Sequence, residues 1–256
     1  MTHSTQKLIK LYNKTSKHSN YQLLYPGLAE IVHQENLSIK SRFEPERLVY
    51  LVKNVDFRGL SVADIGGNTG YFSFAALDHG AEHVDYFEGN PEHAQFVESA
   101  AEALPWADKV TVHSLYIDLA HEKLNTPTDI VFLLNVLHHV GDDYGSKDFN
   151  RLDALAHIAA CLKNMARQAR IMIFQLGFNW KGDKYLPLFD HGTKSEMIDF
   201  VQAACKEDWD VQKIGIAQRD AASIVYRDVN SKNIARDDKL GEFLNRPIFV
   251  LTSRLM

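Results

Sequence analysis

Cysteine is scarce in this chain. The 256 residues include two cysteines, and Cys161 and Cys205 stand 44 positions apart with no CxxC spacing and no histidine pair beside them. This pattern excludes a disulfide scaffold and a zinc ribbon. We therefore expect no metal site and predict a reducing, cytoplasmic setting.

Long apolar runs are also missing. The longest lie near Ile130–Leu134 and Ile171–Phe174, far below the ~18 residues that span a bilayer. The first ten residues, MTHSTQKLIK, lack the apolar core of a secretion signal. We therefore expect neither a membrane span nor secretion.

Neither positive nor negative charge dominates the chain. Lys+Arg number 28 and Asp+Glu number 33, a formal net charge of −5, which argues against non-specific coating of nucleic acid. The hydrophobic fraction of 45% and the charged fraction of 24% exclude a disordered or fibrous chain. The first 20 residues are nevertheless basic, and we expect a solvated helix face or a frayed terminus there. Their lysines are Lys7, Lys10, Lys14 and Lys17.

Apolar runs alternate with helical patterns through most of the sequence. Strands are predicted over 61–65, 83–88, 110–115, 128–134, 170–176, 211–217 and 248–253, and helices over 71–78, 91–103, 148–169 and 194–204. This alternation predicts an α/β fold with a doubly wound, mostly parallel sheet. The last two strands lack a helix between them, so we expect them to pair antiparallel at one edge.

The pattern also predicts a domain organisation. Short helices after Pro26 and near Pro45 indicate a helical N-terminal extension over residues 1–58, before an α/β domain over 59–256. Two long connections, 177–192 and 219–247, interrupt that domain as binding loops or mobile insertions. Ligands of such sheets bind beyond the carboxyl ends of the strands, so we predict a substrate role for the first loop.

A glycine-rich turn joins the first strand of this domain to the following helix. Residues 62–72 read VADIGGNTGYF, and glycines there permit a tight turn and close approach of a ligand. In a structural alternative, Gly67 is a generic turn residue. Asp64 at the end of a buried strand needs a partner, and a ligand amine suits it.

The next predicted strand ends in an acid. Glu88 is followed by Gly89-Asn90-Pro91, and a carboxylate there is placed to accept the hydroxyls of a ribose. The alternative is a helix-start acid, with Asn90 or Glu88 as the cap. A dinucleotide would need GxGxxG, but Asn68 stands at its second glycine and Asp64 would repel a pyrophosphate. A cofactor with an ammonium group and no phosphate is favoured.

Together these residues resemble the class I S-adenosylmethionine-dependent methyltransferase family. The resemblance rests on Asp64-x-Gly66-x-x-x-Gly70, on Glu88 and on residues 129–139, DIVFLLNVLHH, and it covers roughly residues 61–252. It implies S-adenosyl-L-methionine as cofactor and a seven-stranded sheet whose last strand is antiparallel. The implied cofactor-binding residues are Asp64, Gly66, Gly67, Asn68, Gly70, Tyr71, Phe72, Glu88, Gly89, Tyr116, Ile117, Asn135 and Val136.

The family's usage also suggests individual roles. Asp64 would lie by the methionine end of the cofactor and Glu88 would hold its ribose. The acid common just after the third strand is displaced here to Asp118, so Tyr116 or Ile117 is the expected contact of the adenine ring.

A histidine pair follows the predicted fourth strand. Because adjacent residues point in different directions, we predict that one of His138 and His139 packs and the other serves the reaction, and family usage favours His139 as the base. Polar and aromatic residues in and before the first long loop suit a sugar, phosphate or nucleotide acceptor, and they suit a solvated loop almost equally. The predicted substrate residues are Gln175, Asn179, Trp180 and Lys184.

These observations predict a methyltransferase that modifies an oxygen, with a nitrogen as the less favoured alternative, of a small or polymer-borne polar acceptor. Two alternatives stay open: a tRNA-modifying methyltransferase, and a degenerate cofactor-binding partner subunit. Faint similarities to methyltransferases of cell-surface polysaccharide synthesis and of the tRNA wobble uridine do not decide the acceptor, and the oligomeric state is left open. The N-terminal segment, including Tyr21 and Gln22, is expected to fold over the cofactor as a lid.

Overall fold

The computed structural model describes residues 3–14, 20–34 and 37–256. These residues form eight α-helices and eight β-strands. The chain divides into two compact units, Met1–Tyr116 and Ile117–Met256, called unit 1 and unit 2 below. Lys17, one of the four N-terminal lysines, lies outside the described residues.

Unit 1 is built from five helices and a three-stranded parallel sheet. Its elements are α1 (His3–Tyr12), α2 (Pro26–Val32), α3 (Glu44–Asn54), β1 (Ser61–Ile65), α4 (Tyr71–Asp78), β2 (His83–Phe87), α5 (Pro91–Ala103) and β3 (Val110–His113). The strand order is β3-β2-β1, and Asp64 of β1 lies opposite Tyr86 of β2. Proline stands in the first turn of α2, α3 and α5, where its missing N–H costs nothing.

Helix α1 is an integral part of unit 1. Leu8 is fully buried, Leu11 and Tyr12 are nearly so, and the Tyr12 ring lies 5.8 Å from that of Phe96 on α5. Lys7 and the other described lysines of this segment are exposed. The prediction of a solvated face therefore holds for the lysines, while the opposite face of the helix belongs to the core.

Unit 2 contains the other five strands and three helices. Its elements are β4 (Thr128–Leu134), α6 (Arg151–Met165), β5 (Ala169–Gln175), α7 (Lys194–Cys205), β6 (Trp209–Asp220), β7 (Ser223–Asp228), α8 (Gly241–Leu244) and β8 (Ile248–Ser253). The strand order is β4-β5-β8-β6-β7. Strands β4 and β5 are parallel, and every other pairing in the unit is antiparallel.

The predicted α/β class and the antiparallel last strand are confirmed, with one strand more than the seven expected. Residues 219–247, expected as a loop, contain β7, which forms a hairpin with β6 and takes the edge of the unit. Residues 248–253 form β8, which does pair antiparallel with β6 but lies between it and β5. Helix α6 begins at Arg151 rather than 148, because Asn150 and Asp153 form a capping box there.

The division into an extension over 1–58 and a domain over 59–256 stays a prediction. Within residues 3–14, 20–34 and 37–256, no helix has the length and apolar character needed to cross a membrane. Both cysteines are free and buried.

The burial of α1 generates a stability prediction. Replacing Leu8→Ala should lower the free energy of unfolding by about 2–5 kcal/mol, since it removes buried methyl groups and leaves a cavity. The neighbouring Lys7→Ala variant, on the exposed face, should change it by less than about 0.5 kcal/mol. Urea denaturation of the full chain measures both. Equal urea midpoints for the Leu8→Ala and Lys7→Ala variants would show that α1 is frayed in solution.

Candidate functional site

The turn between β1 and α4 depends on glycine at several positions. Gly66 and Gly70 have φ of 67° and 77°, in the left-handed region that favours glycine. A Cβ at Gly67 would lie 2.5 Å from the Tyr86 ring and 2.6 Å from Asp64 Oδ2. A generic turn residue therefore cannot replace Gly67, and the backbone passes directly over these two side chains.

Asp64 forms a buried polar contact beneath this turn. Its carboxylate is 3% exposed and accepts a hydrogen bond of 2.6 Å from the Ser73 hydroxyl on α4. Burial raises its pKa to about 6, and the bond from Ser73 partly opposes that shift. Tyr86, also buried, donates its hydroxyl proton to the backbone oxygen of Asn68. Each of these two buried polar side chains thus has a hydrogen-bond partner, on α4 for Asp64 and in the backbone of the turn for Tyr86.

The N-terminal segment reaches the same turn through Gln22. Its side-chain oxygen accepts hydrogen bonds from the Thr69 backbone N–H (3.1 Å), the Thr69 hydroxyl (2.9 Å) and the Tyr71 backbone N–H (3.2 Å). Free N–H groups at a helix start are available to bind an anion or a capping side chain. Here Gln22 fills that position at the start of α4.

Glu88 lies just past the end of β2 and is oriented by two backbone groups. Its Oε2 accepts from the Asn68 N–H at 3.0 Å, and its Oε1 accepts from the Asn90 N–H at 2.9 Å. The cap of α5 is Asn90, whose side chain accepts from the Glu92 N–H. Of the two proposed helix caps, the structure assigns this role to Asn90. The carboxylate of Glu88 is instead tied to the glycine turn.

An aromatic ring lies against Gly89, the residue that follows Glu88. Tyr116 is 53% exposed, and its ring passes so close to Gly89 that a Cβ there would lie 2.3 Å from it. Ile117, the next residue, is half-buried. The absence of a side chain at Gly89 therefore permits the observed position of the Tyr116 ring.

Tyr71 and Phe72, both predicted cofactor contacts, have buried side chains on α4. Their rings meet edge to face at 5.3 Å, and the Arg47 guanidinium lies 4.7 Å from the centroid of Phe72. Burial raises the pKa of Tyr71 to about 12, with a further contribution from Glu44. Both side chains pack within unit 1, and the Tyr71 backbone N–H contributes to the turn itself.

In unit 2, Asn135 occupies a strained position after β4. Its φ is 64°, a conformation that asparagine tolerates better than most residues. Its backbone N–H donates to the Gln175 backbone oxygen, and its side-chain amide donates to Gln175 Oε1 at 2.9 Å. Its Oδ1 accepts from Arg246 Nη1 at 2.7 Å. Three hydrogen bonds thus fix this side chain and its backbone.

Arg246 connects Asn135 to a carboxylate. It forms a two-point contact with Glu242, with distances of 3.1 Å and 2.6 Å. Glu242 also accepts from the Phe178 backbone N–H, and Gln175, which is fully buried, donates to the Arg246 backbone oxygen. The four side chains Asn135, Gln175, Glu242 and Arg246 are called the polar network below.

The two adjacent histidines have different surroundings. His138 is 3% exposed, and its Nδ1 accepts from the Gly177 N–H at 3.3 Å. His139 lies in the same short 3-10 helix, Leu137–His139, and its Nδ1 is 3.5 Å from Asp143 Oδ2. The expected division of roles between the two histidines stays a prediction.

The remaining predicted substrate residues differ in placement. Trp180 is buried, and its indole N–H donates to the Val140 backbone oxygen at 2.6 Å. Asn179 is half-buried, and Lys184 is exposed and lies over the ring of Tyr185. Val136, predicted on the cofactor side, is half-buried beside Asn135. The structure thus joins Gln175 to the polar network and leaves Lys184 at the surface.

Sequence reasoning missed Ser73 and Glu242. The spacing of Glu242 and Arg246, four residues apart, is a recognisable ion-pair signal. Ser73 offers no such signal, since its role depends on α4 lying against the end of β1.

No protein-family profile matches this chain. A tRNA U34 carboxymethyltransferase of Helicobacter pylori (strain G27) is 33% identical over 90 residues, which are 35% of this chain. The chain spans about a third of the length of the curated relatives that it matches.

Solved structures resemble nearly the whole chain. The bifunctional kinase-methyltransferase WbdD matches 96% of it, and 46% of its own chain, with a TM-score of 0.52 and 16% identity. Magnesium protoporphyrin IX methyltransferase (ChlM) from Synechocystis PCC 6803, solved with bound SAM, matches 98% of each chain with a TM-score of 0.50 and 16% identity. The chain has the class I methyltransferase fold. The expected fold is thereby confirmed.

The buried carboxyl of Asp64 generates a pH prediction. Its folded pKa of about 6 lies above the ordinary 3.8, so the folded state holds the proton more tightly than the unfolded state. That contribution is fully present below the unfolded pKa and is lost as the pH rises through about 6. The shift of about two units corresponds to about 3 kcal/mol. Asp64→Asn should therefore gain about this much relative to wild type between about pH 4 and about pH 7.

Urea denaturation across this pH range measures the difference. The exposed Asp108→Asn variant is the matched control and should follow the wild type. Parallel stability curves for wild type and Asp64→Asn would contradict the burial argument.

Proposed function

We propose that this chain is an S-adenosylmethionine-dependent methyltransferase whose unit 1 binds the cofactor. The observation that carries the proposal is the position of Glu88, whose carboxylate is held by the Asn68 and Asn90 N–H groups. Those two bonds fix the direction of a side chain whose oxygens each have two acceptor sites. A ribose with two neighbouring hydroxyls is the ligand that this carboxylate suits.

The start of α4 supports a cofactor without phosphate. Dinucleotide sites use the free N–H groups of a glycine turn and helix N-terminus to bind a pyrophosphate. In this chain Gln22 takes the Thr69 and Tyr71 N–H groups, and the buried Asp64 adds an acid below the turn. A sulfonium cofactor with an amino-acid end and a ribose fits these residues, while a pyrophosphate does not.

The proposal gives each predicted cofactor residue of unit 1 a limited task. The glycines Gly66, Gly67 and Gly70 shape the turn, Asp64 favours the ammonium group, and the exposed Tyr116 ring suits stacking on adenine. When bound, the cofactor supplies a methyl group already activated by its positive sulfur. The chain then has to position an acceptor and take its proton.

We propose that His139 acts as the general base of the transfer. A histidine beside a carboxylate is the arrangement of a general base with an orienting group, and His139 and Asp143 form such a pair. The polar network is held by several mutual hydrogen bonds, and its member Asn135 is four residues before His139 in sequence. We propose a polar hydroxyl-bearing acceptor, for which loss of a proton assists the transfer.

RNA is the second candidate acceptor. The matched relatives are named as tRNA carboxymethyltransferases, and the exposed lysines of α1 could contact phosphates. Such contacts would make affinity fall steeply with added salt. The cytoplasmic setting stays part of the proposal.

Ligand-induced stabilisation tests the cofactor assignment. S-Adenosylmethionine or S-adenosylhomocysteine at 100 times its dissociation constant should stabilise the full chain by about 2.7 kcal/mol, and NAD should not. Glu88→Gln should weaken this response, because the amide replaces one acceptor oxygen with a donor. The matched control is Glu98→Gln on the exposed side of α5.

Thermal shift and calorimetry give the affinities. Stabilisation by NAD alone would overturn the proposal, and no response to any of the three ligands would favour the degenerate partner subunit. An unchanged affinity of Glu88→Gln would exclude the ribose role.

His139 generates a prediction about turnover. His139→Ala should lower methyl transfer by at least ~100-fold, since a positioned base contributes that much, while cofactor binding stays normal. The exposed His191→Ala variant is the control and should keep full activity. Transfer of a labelled methyl group into fractionated cell extract measures the rate.

The same assay distinguishes the acceptors. Label that survives RNase treatment supports a small or carbohydrate acceptor, and label that RNase removes supports RNA. Full turnover in His139→Ala would contradict the base role, as expected for a phosphate or carboxylate acceptor that needs no deprotonation.

A further inference from the structure

A cluster of two imidazoles and a carboxylate lies in unit 2, apart from the residues assigned above. Asp118 and His121 stand in the segment between β3 and β4, and His157 is on α6. One ligand atom of each residue lies within 4.8 Å of the others. Asp118 Oδ2 is 3.0 Å from His121 Nδ1, and Asp118 Oδ1 is 2.8 Å from His157 Nε2.

The backbone around Asp118 is held in place by hydrogen bonds. The Ala120 N–H donates to Asp118 Oδ1 at 3.1 Å. The Asn164 side chain, on the same helix as His157, donates to the backbone oxygens of Leu119 and Glu122, both at 2.9 Å. These hydrogen bonds hold the segment of Asp118 and His121 against α6, which bears His157.

The cluster has one buried and one exposed side. The His157 side chain is 5% exposed, and the rings of Phe149 and Tyr144 lie 5.3 Å and 6.0 Å from its own. The Asp118 side chain is 24% exposed and that of His121 is 74% exposed. An ion could therefore enter from the solvent beside His121 and meet a rigid imidazole behind it.

We propose that Asp118, His121 and His157 form a zinc site. Two imidazole nitrogens and one carboxylate oxygen are a donor set that zinc prefers, whereas magnesium and calcium favour oxygen. In a tetrahedral zinc site with bonds of about 2.0 Å, neighbouring ligand atoms are about 3.3 Å apart. In this cluster the two imidazole nitrogens contact different oxygens of Asp118, at 2.8 Å and 3.0 Å, and one ligand atom of each residue lies within 4.8 Å of the others. Small movements of the side chains would place the three around one ion. A fourth position remains for water or an outside ligand.

The ion would link two parts of unit 2 that are distant in sequence. His121 and His157 are separated by 36 positions, so the site matches no short metal-binding motif, and the sequence alone gave no reason to expect it. Asp118 directly follows Ile117. Zinc would therefore fix the chain just after a residue predicted to contact the cofactor.

Metal binding by the full chain tests the site. After treatment with a chelator, titration with zinc chloride should show one zinc ion per chain and a rise in melting temperature. His121→Ala should weaken zinc binding by at least ~10-fold, and Asp118→Asn should do likewise. His121 is mostly exposed, so its removal should leave the fold intact, which circular dichroism checks.

Two control variants address other histidines. His79→Ala, at an exposed position of unit 1, should bind zinc like the wild type. His139, with Asp142 and Asp143, forms the other group of this kind within the described residues. If the ion binds at Asp118, His121 and His157, His139→Ala should leave zinc binding unchanged.

The result is independent of the proposed function, because the readout is bound metal rather than methyl transfer. No zinc binding, or equal affinity in wild type and His121→Ala, would overturn the site and leave a hydrogen-bonded cluster. Loss of binding in His139→Ala alone would also overturn it. Cobalt substitution gives a second readout, since visible absorption of a tetrahedral complex should disappear in His121→Ala.

Discussion

The buried carboxyl of Asp64 is the constraint on which the geometry of unit 1 depends. A carboxylate at the end of a buried strand is unfavourable unless it is paired, and Ser73 supplies the pairing from the first turns of α4. The helix must therefore lie against the end of β1, and the turn between them must pass over both Asp64 and Tyr86. Only glycine fits at position 67 on that path. The same path brings the Asn68 N–H to Glu88. The orientation of Glu88, the proposed partner of the ribose, therefore depends on the burial of Asp64 on the neighbouring strand.

The N-terminal segment completes this turn. Gln22 is 47 residues from Thr69 in sequence, yet its side-chain oxygen takes two backbone N–H groups and one hydroxyl at the start of α4. A single uncharged oxygen there removes a site that would otherwise attract phosphate. In the proposed function, residues before the first strand therefore influence which class of cofactor the turn accepts. The covering role expected of a lid stays a prediction.

Local signals in the sequence predict most elements of this fold, and distant pairings account for the differences. The bounds of β1, α4 and α5 agree with the structure because glycine and proline mark their ends within a few residues. Strand β7 escaped prediction since its six residues alternate weakly and depend on the hairpin with β6. The insertion of β8 between β5 and β6 cannot be deduced from periodicity. The contact of Arg246 with Asn135, across 111 positions, depends on that insertion, so it cannot be predicted from periodicity either.

The histidine pair shows how two identical neighbours acquire different chemistry. His138 packs against Gly177, where any side chain would lie within 2.7 Å of its ring, so its position depends on the close approach of the chain after β5. Its Nδ1 accepts the Gly177 N–H, which places the proton of the neutral imidazole on Nε2. His139 points instead towards Asp143, a carboxylate one turn away. A buried neutral imidazole with an assigned tautomer is suited to structure, and an imidazole beside a carboxylate is suited to accept a proton, since the resulting charge is stabilised there. The different surroundings of the two side chains therefore follow from one glycine and one acid rather than from the histidines themselves.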